Sequence, residues 1–242
     1  MSDFGNAGQR MKKFYKQAAI EKLGDGNWTI SLDGRQLKTP AKKPLSLPTE
    51  ELAEAVAGEW ADQVEFIDVA TMHITRLVNV AIDRTPLARP EMADEVARYA
   101  ETDLVSHLAE GPTVLRERQQ EGWAPIRDWA AQELNVFLLP VEGVMASPQP
   151  TTSLEAARQH AANLDDMRLT GLNFGLGLFG SAVLSLAVEQ GRLLAEEAFD
   201  LSRIDEIYQA EQWGEDEEAM HRVAYNRHQA LGLGVFFAAL KR

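Results

Sequence analysis

Residues 174–188 read FGLGLFGSAVLSLAV, and the class of the fold turns on what they form. Gly175, Gly177 and Gly180 stand at the G-x-G-x-x-G spacing that grips a dinucleotide pyrophosphate, which works only where a strand runs into the glycines and a helix leaves them. The preceding DDMRLTGLN is helical in pattern, so that strand is missing. Asp200, twenty residues after Gly180, stands where a ribose-binding acid would, but no second strand surrounds it. A membrane span is the next reading, because Leu169 to Val188 carries no charge and about 20 apolar residues cross a bilayer. Four glycines, Asn173, Ser181 and Ser185, an acidic flank and the lack of a second candidate argue against it. The remaining reading fits: Leu172, Leu176, Phe179, Val183 and Leu186 step by four and three along one face of a single helix. Each glycine costs a helix about 1 kcal/mol relative to alanine, so their density predicts close approach of a neighbouring helix. The stretch therefore predicts the buried central helix of a soluble bundle.

Periodicity on either side separates two regions. Upstream, Trp28, Ile30 and Leu32 alternate with polar residues, Asp33-Gly34 supplies a tight turn, and Arg35 to Thr39 returns, which predicts a β-hairpin. Phe14 to Leu23 adds another strand. Thr49 caps a first helix whose Leu52, Val56, Trp60 and Val64 form one stripe, and Ile74, Leu77, Val78, Ala81 and Ile82 mark a second helix ending before Pro86. From Pro90 onward the period is helical: Met92, Val96, Tyr99 and Leu104 in one helix, Pro125 opening another, and Ser153 capping one that reaches Met167. Ser202-x-x-Asp205 caps a later helix, and a last one, over about 216–240, turns Met220, Val223, Leu231 and Val235 inward. The fold class is α+β: a small N-terminal mixed β-hairpin and helix domain, residues 1–88, followed by a C-terminal all-helical bundle domain, residues 89–242.

Charge is distributed as unevenly as periodicity. Residues 1–90 hold 12 Lys/Arg and 12 Asp/Glu, whereas 91–242 hold 12 and 25, so the second region carries the whole net charge of −13. Such an acidic surface repels phosphates and anionic lipid, which disfavours nucleic acid and favours a protein partner or small ligand. The chain has no cysteine, which removes disulfides, thiolate metal sites, iron–sulfur clusters and thiol nucleophiles together. MSDFGNAGQRMKKFYKQ shows no export or organelle address, and a bacterial cytoplasmic location is the expectation.

Catalytic patterns are missing from the sequence: there is no H-E-x-x-H, no G-x-S-x-G and no phosphate loop. Glu218-x-x-His221 has the spacing of a di-iron ligand pair but no second pair to join it, so neither a metal nor a cofactor is expected. The densest chemical feature is QAEQWGEDEEAMHR, residues 209–222. Gly214 can end one helix while the acids favour the N-terminus of the next, and the same aromatic beside fixed acids makes an anchor for a basic protein surface.

Several segments, in order, resemble one family. KKFYKQA (12–18), LDGRQLKTP (32–40), PLSLPTEELAEAVAGEW (44–60), TMHITRLVNVAIDR (71–84), YAETDL (99–104), WAPIRDWA (123–130) and SRIDEIYQAEQWGED (202–216) are similar to the ATP-synthase alpha-subunit assembly chaperones, also called the mitochondrial ATPase assembly factor 2 family. The resemblance implies a non-enzymatic chaperone that binds the free alpha subunit of the catalytic head before it pairs with beta. It places partner contacts on Trp213, Gly214, Glu215 and Glu217, and matches Trp60 to a core position. Ser106-His107-Leu108 departs from the Cys-Tyr-Arg usual in relatives. The rival reading is an enzyme or small-ligand protein with a pocket between the two domains.

Overall fold

Asp33 and Gly34 turn the chain back on itself with φ of 49° and 78°, the left-handed pair that a two-residue hairpin loop requires. In this computed structural model, which describes residues 11–143, 148–214 and 216–241, the turn joins β3 (Trp28–Leu32) to β4 (Arg35–Gln36), and β2 (Ala18–Lys22) pairs antiparallel on the other side with Ile20 opposite Ile30. The Asp33 carboxylate also accepts from the backbone N–H groups of Gln17 and Lys16, at 2.9 and 3.1 Å, and these donors hold its pKa below the ordinary range. The strand expected from Phe14 onward starts only at Ala18, because Tyr15 turns inward to donate to the Trp60 carbonyl at 2.6 Å. A smaller ribbon pairs β1 (Met11–Lys12) with β5 (Phe66–Ile67).

Helix α1 (Glu50–Ala61) begins as expected, with the Thr49 hydroxyl accepting from the Leu52 N–H. That hydroxyl donates in turn to the Ala239 carbonyl at 2.6 Å, tying the start of α1 to the far end of the chain. Val64 does not join the predicted stripe and is 85% exposed: the Lys13 ammonium donates to the carbonyls of Ala61 and Gln63, capping the helix before Val64 is reached. Helix α2 (His73–Asp83) buries Ile74, Leu77, Val78 and Ala81. Its N-terminus is capped from outside by the Glu59 carboxylate, which accepts from the Ile74 and Thr75 N–H groups at 2.7 Å each.

Helix α3 (Thr85–Glu101) contains Pro86 and Pro90 and kinks at Ala88, and it stops before Leu104. A short strand, β6 (His107–Leu108), then pairs in parallel with β7 (Val141–Glu142). Between them, α4 (Thr113–Leu134) runs through Pro125 instead of starting there, because Trp123, Ile126 and Arg127 on that turn are buried and hold it in place. Helix α5 (Thr151–Asn163) starts two residues before Ser153, whose hydroxyl bonds the Phe137 backbone instead of capping. Met167 belongs to the next helix, α6 (Asp166–Phe179), which Asp165 caps.

The opening stretch is therefore two helices and not one. Gly180, at φ 65°, ends α6 in the left-handed conformation, and the Ser181 hydroxyl caps α7 (Ala182–Glu189) by accepting from the Leu184 N–H at 3.0 Å. No strand precedes Gly175, and among the described residues no helix is long and apolar enough to cross a membrane. Close approach explains Gly171 and Gly175, which face Phe237 and Ser185, whereas Gly177 is exposed with open space beside it. One apolar cluster runs from Ile30 and Val56 through Val78, Trp123 and Leu172 to Phe237.

Two buried carboxylates brace this core. Asp103, fully buried, accepts from the Val105 N–H at 3.1 Å and the Val183 N–H at 3.0 Å, so it caps α7 from a distant loop. Burial pushes its carboxyl up to about 6 despite those hydrogen bonds. Glu189 joins three helices, accepting from His160 of α5 at 2.9 Å and from the Arg168 guanidinium of α6.

Candidate functional site

Helix α8 (Ala195–Leu201) leads into α9 (Ile204–Trp213), and Ser202 closes the first instead of capping the second: its hydroxyl donates to the Phe199 carbonyl at 2.7 Å. Asp205 is likewise turned away from a capping role and accepts from the Gln119 side-chain amide of α4 at 2.5 Å. Helix α9 has no buried residue of its own. It lies on α4 through the Arg118–Glu211 ion pair at 2.8 Å, and just before it the Leu201 carbonyl at the end of α8 accepts from the Trp123 indole N–H of α4 at 2.9 Å. A Cβ at Gly122 would stand 2.9 Å from both Leu201 and Ile204, which shows how closely α4 and the α8–α9 junction approach.

Trp213 is the last residue of α9 and is 79% exposed. Gly214 follows at φ 87° and ψ 167°, a region essentially closed to residues with a Cβ, so glycine is required to turn the chain there. Asp216 then caps α10 (Glu217–Ala239) by accepting from the Ala219 N–H, and Glu217 and Glu218 occupy its first turn, where the helix dipole favours acids. The structure thus brings Trp213, Gly214 and Glu217 together at one apex; Glu215 lies outside the described residues.

Below this apex α9 and α10 line a groove of about 800 Å³. Ala210, Trp213, Ala219, Met220 and Val223 give it apolar walls, and the Phe199 ring lies at its base. The guanidinium groups of Arg203 and Arg227 cover that ring at 5.6 and 5.3 Å from its centroid. Arg227 is also ion-paired to Asp200. The inward face predicted for the last helix is corrected here: Met220, Leu231 and Val235 are 46, 38 and 48% exposed, and Ala230, Leu233, Phe236 and Phe237 are buried instead. The stripe was misplaced because the first half of α10 leaves the core, so that Met220 faces the groove. The signal for the groove is nonetheless in the sequence, since 203, 206, 210 and 213 on α9 and 216, 219, 223 and 227 on α10 keep helical spacing.

Other candidates are accounted for structurally. Glu218 and His221 are exposed, and no cluster of metal-ligating side chains occurs among the described residues. Ser106 and Leu108 are buried, and the His107 Nδ1 lies 2.9 Å from the Asp103 carbonyl, so the segment that departs from the family pattern is held within the fold. Trp60 is half-buried and packs edge-on to Tyr15 at 5.7 Å.

Known proteins reproduce this architecture over nearly its full length. The crystal structure of Atp12 from Paracoccus denitrificans is 41% identical, with a TM-score of 0.88 over 96% of this chain and 99% of that one. The chain belongs to the ATP12 chaperone family. The family's model, described as ATP12 chaperone protein, matches residues 12–131, from β1 into α4. The crystal structure of the Atu1473 protein from Agrobacterium tumefaciens is 37% identical with a TM-score of 0.90, covering 95% of this chain and 86% of that one. The mitochondrial protein atp12 of Schizosaccharomyces pombe is 29% identical over 221 residues, 86% of this chain and 75% of the relative. Chaperones of this family serve ATP synthase assembly.

Proposed function

We propose that this protein holds the free alpha subunit of the ATP synthase catalytic head until that subunit pairs with beta, and that it does so through the α9–α10 apex without hydrolysing ATP. The observation that carries the proposal is Trp213, a large aromatic left 79% exposed on the rim of an apolar groove in a chain that belongs to a chaperone family. An unpaired subunit exposes an interface that aggregates unless covered. A cover must also leave, and a contact built on one aromatic anchor with a charged rim yields to a partner that buries more apolar area. In this reading residues 89–242 form the domain that carries the contact surface and residues 1–88 the domain that buttresses it, in a bacterial cytoplasm.

The test is capture of purified alpha subunit as it is diluted from denaturant, followed by light scattering and co-elution. Trp213→Ala is expected to weaken capture by about 2 kcal/mol, as truncation of an interface hot spot does. Reversing Glu215 and Glu217 to lysine is expected to weaken it more than reversing Glu51 and Glu54, which are exposed on α1. Glu197 is unsuited as a control because its carboxylate caps α8 by accepting from the Leu194 N–H. Failure of the wild type to capture alpha would refute the function, whereas undiminished capture by both folded variants would refute the surface.

A further inference from the structure

Among the described residues Arg203 makes no ion pair and no side-chain hydrogen bond; its guanidinium is occupied only by the Phe199 ring. It lies at the base of the groove, half-buried, beside an Arg227 already committed to Asp200. The acids on which a basic partner would dock, Asp216 and Glu217, stand at the opposite end, where α10 begins. The groove is acidic at its apex, at Asp216, and apolar along its walls; its other charges are Glu206, one turn along α9 from Arg203, and the paired Arg222 and Arg227, which leaves Arg203 the one lining cation without an ion pair among the described residues.

We propose that its occupant is an apolar segment of the client carrying a carboxylate, with the apolar side chains against Trp213, Met220 and Val223 and the carboxylate on Arg203. This rests on the reading of the protein as an alpha-subunit chaperone, and it adds the chemistry by which the segment is chosen. A guanidinium held over an aromatic face, here 5.6 Å from the Phe199 centroid, spends no hydrogen bond on it, so its planar fork of N–H donors is left for a planar carboxylate. The acids at the apex set direction, since a segment laid in reverse would bring its carboxylate against Asp216.

The test uses overlapping synthetic peptides that tile the alpha-subunit sequence, added to the full-length protein, with tryptophan emission read as wild type minus Trp213→Phe. Peptides that bind are expected to shift the Trp213 emission to the blue and to contain an Asp or Glu, whose replacement by Asn or Gln weakens binding about tenfold, the scale of one partly desolvated charge-assisted pair. Arg203→Glu is expected to weaken the acidic peptide to the same degree and to leave the amide peptide little changed. Arg203→Gln serves as the second variant should the reversal disturb the fold by circular dichroism. Binding peptides without a carboxylate, or wild-type affinity of both Arg203 variants for the acidic peptide, would overturn the inference. If intact alpha subunit is still captured in those cases, the chaperone reading stands; if the wild type binds neither peptide nor subunit, both readings fall.

Discussion

Adding one methyl group at Gly171 and at Gly177, six residues apart on α6, should move stability in opposite directions. A Cβ at Gly171 would stand 2.7 and 2.9 Å from two atoms of the Phe237 ring and 3.0 Å from Phe236. Carbon atoms pack best at about 3.5–4.0 Å, so the rings must retreat by the better part of an ångström. They have little room to do so, being 3% and 0% exposed. Overpacking of this kind costs about 1–3 kcal/mol, from which alanine's better helix propensity returns about 1 kcal/mol, leaving Gly171→Ala a net loss of up to about 2 kcal/mol. Gly177 is exposed with nothing within 4 Å, so Gly177→Ala keeps the propensity gain of about 0.5–1 kcal/mol without the clash. Urea unfolding followed by tryptophan emission and far-ultraviolet circular dichroism reads both, with the midpoints moving apart and the slopes unchanged. Combining Gly171→Ala with Phe237→Leu should restore part of the loss, since the two positions are in contact. A Gly171→Ala protein as stable as the wild type would refute the argument that close helix approach holds glycine on this face.

Asp103 and Glu189 should give opposite pH dependences. With its pKa raised to about 6 from 3.8, Asp103 favours the fold when protonated, so its contribution is complete below pH 3.8 and is lost as pH rises through 6. The stability gap between wild type and Asp103→Asn should therefore narrow between pH 4 and pH 7 by as much as about 3 kcal/mol, and a widening gap in chemical denaturation would contradict this. Burial raises the pKa of Glu189, but hydrogen bonds from His160 and Gln190 and the charge of Arg168 outweigh it and hold the group below the ordinary 4.5, so its contribution is present above that pH and lost on acidification. Glu189→Gln should cost about 3–5 kcal/mol at neutral pH, because the half-buried Arg168 guanidinium loses its counter-charge, and the cost should shrink below pH 4.5. Millimolar NAD, FAD or ATP should leave the melting temperature unchanged, since ligand at 100 times its dissociation constant would add about 2.7 kcal/mol and the glycines of α6 form no phosphate loop.

Features decided within a few residues were legible before the structure. Asp33-Gly34 specifies its own two-residue turn, Thr49 its own cap, and the inward face of α2 its own stripe. Features decided by a distant neighbour were not. The run through Gly180 and Ser181 reads as one apolar helix because a left-handed glycine followed by a capping serine looks like two small residues in a hydrophobic stretch. Pro125 reads as a helix start because the packing of Trp123 and Ile126 that overrides it comes from elsewhere in the fold. Ser202 and Asp205 have the spacing of a cap, yet Ser202 closes the previous helix and Asp205 is claimed by Gln119. At the candidate site, the break at Trp213-Gly214 was readable from composition, whereas Arg203 joins it only once α9 and α10 stand on the two sides of one groove, ten residues of helix away.

Helix α10 divides its labour along its length. None of its residues from 217 to 229 is buried, whereas 230–239 supply Ala230, Leu233, Phe236, Phe237 and Ala239 to the core. Core burial comes from the second half, and the first half adds the half-buried Val223, the Tyr225 contact with His73 and the Arg227–Asp200 pair, so its other positions vary at a stability cost of about a few tenths of a kcal/mol. On the proposed reading, a lineage retunes which client segment it accepts by drift along the outer turns of α10, while selection on the fold acts mainly on residues 230–239.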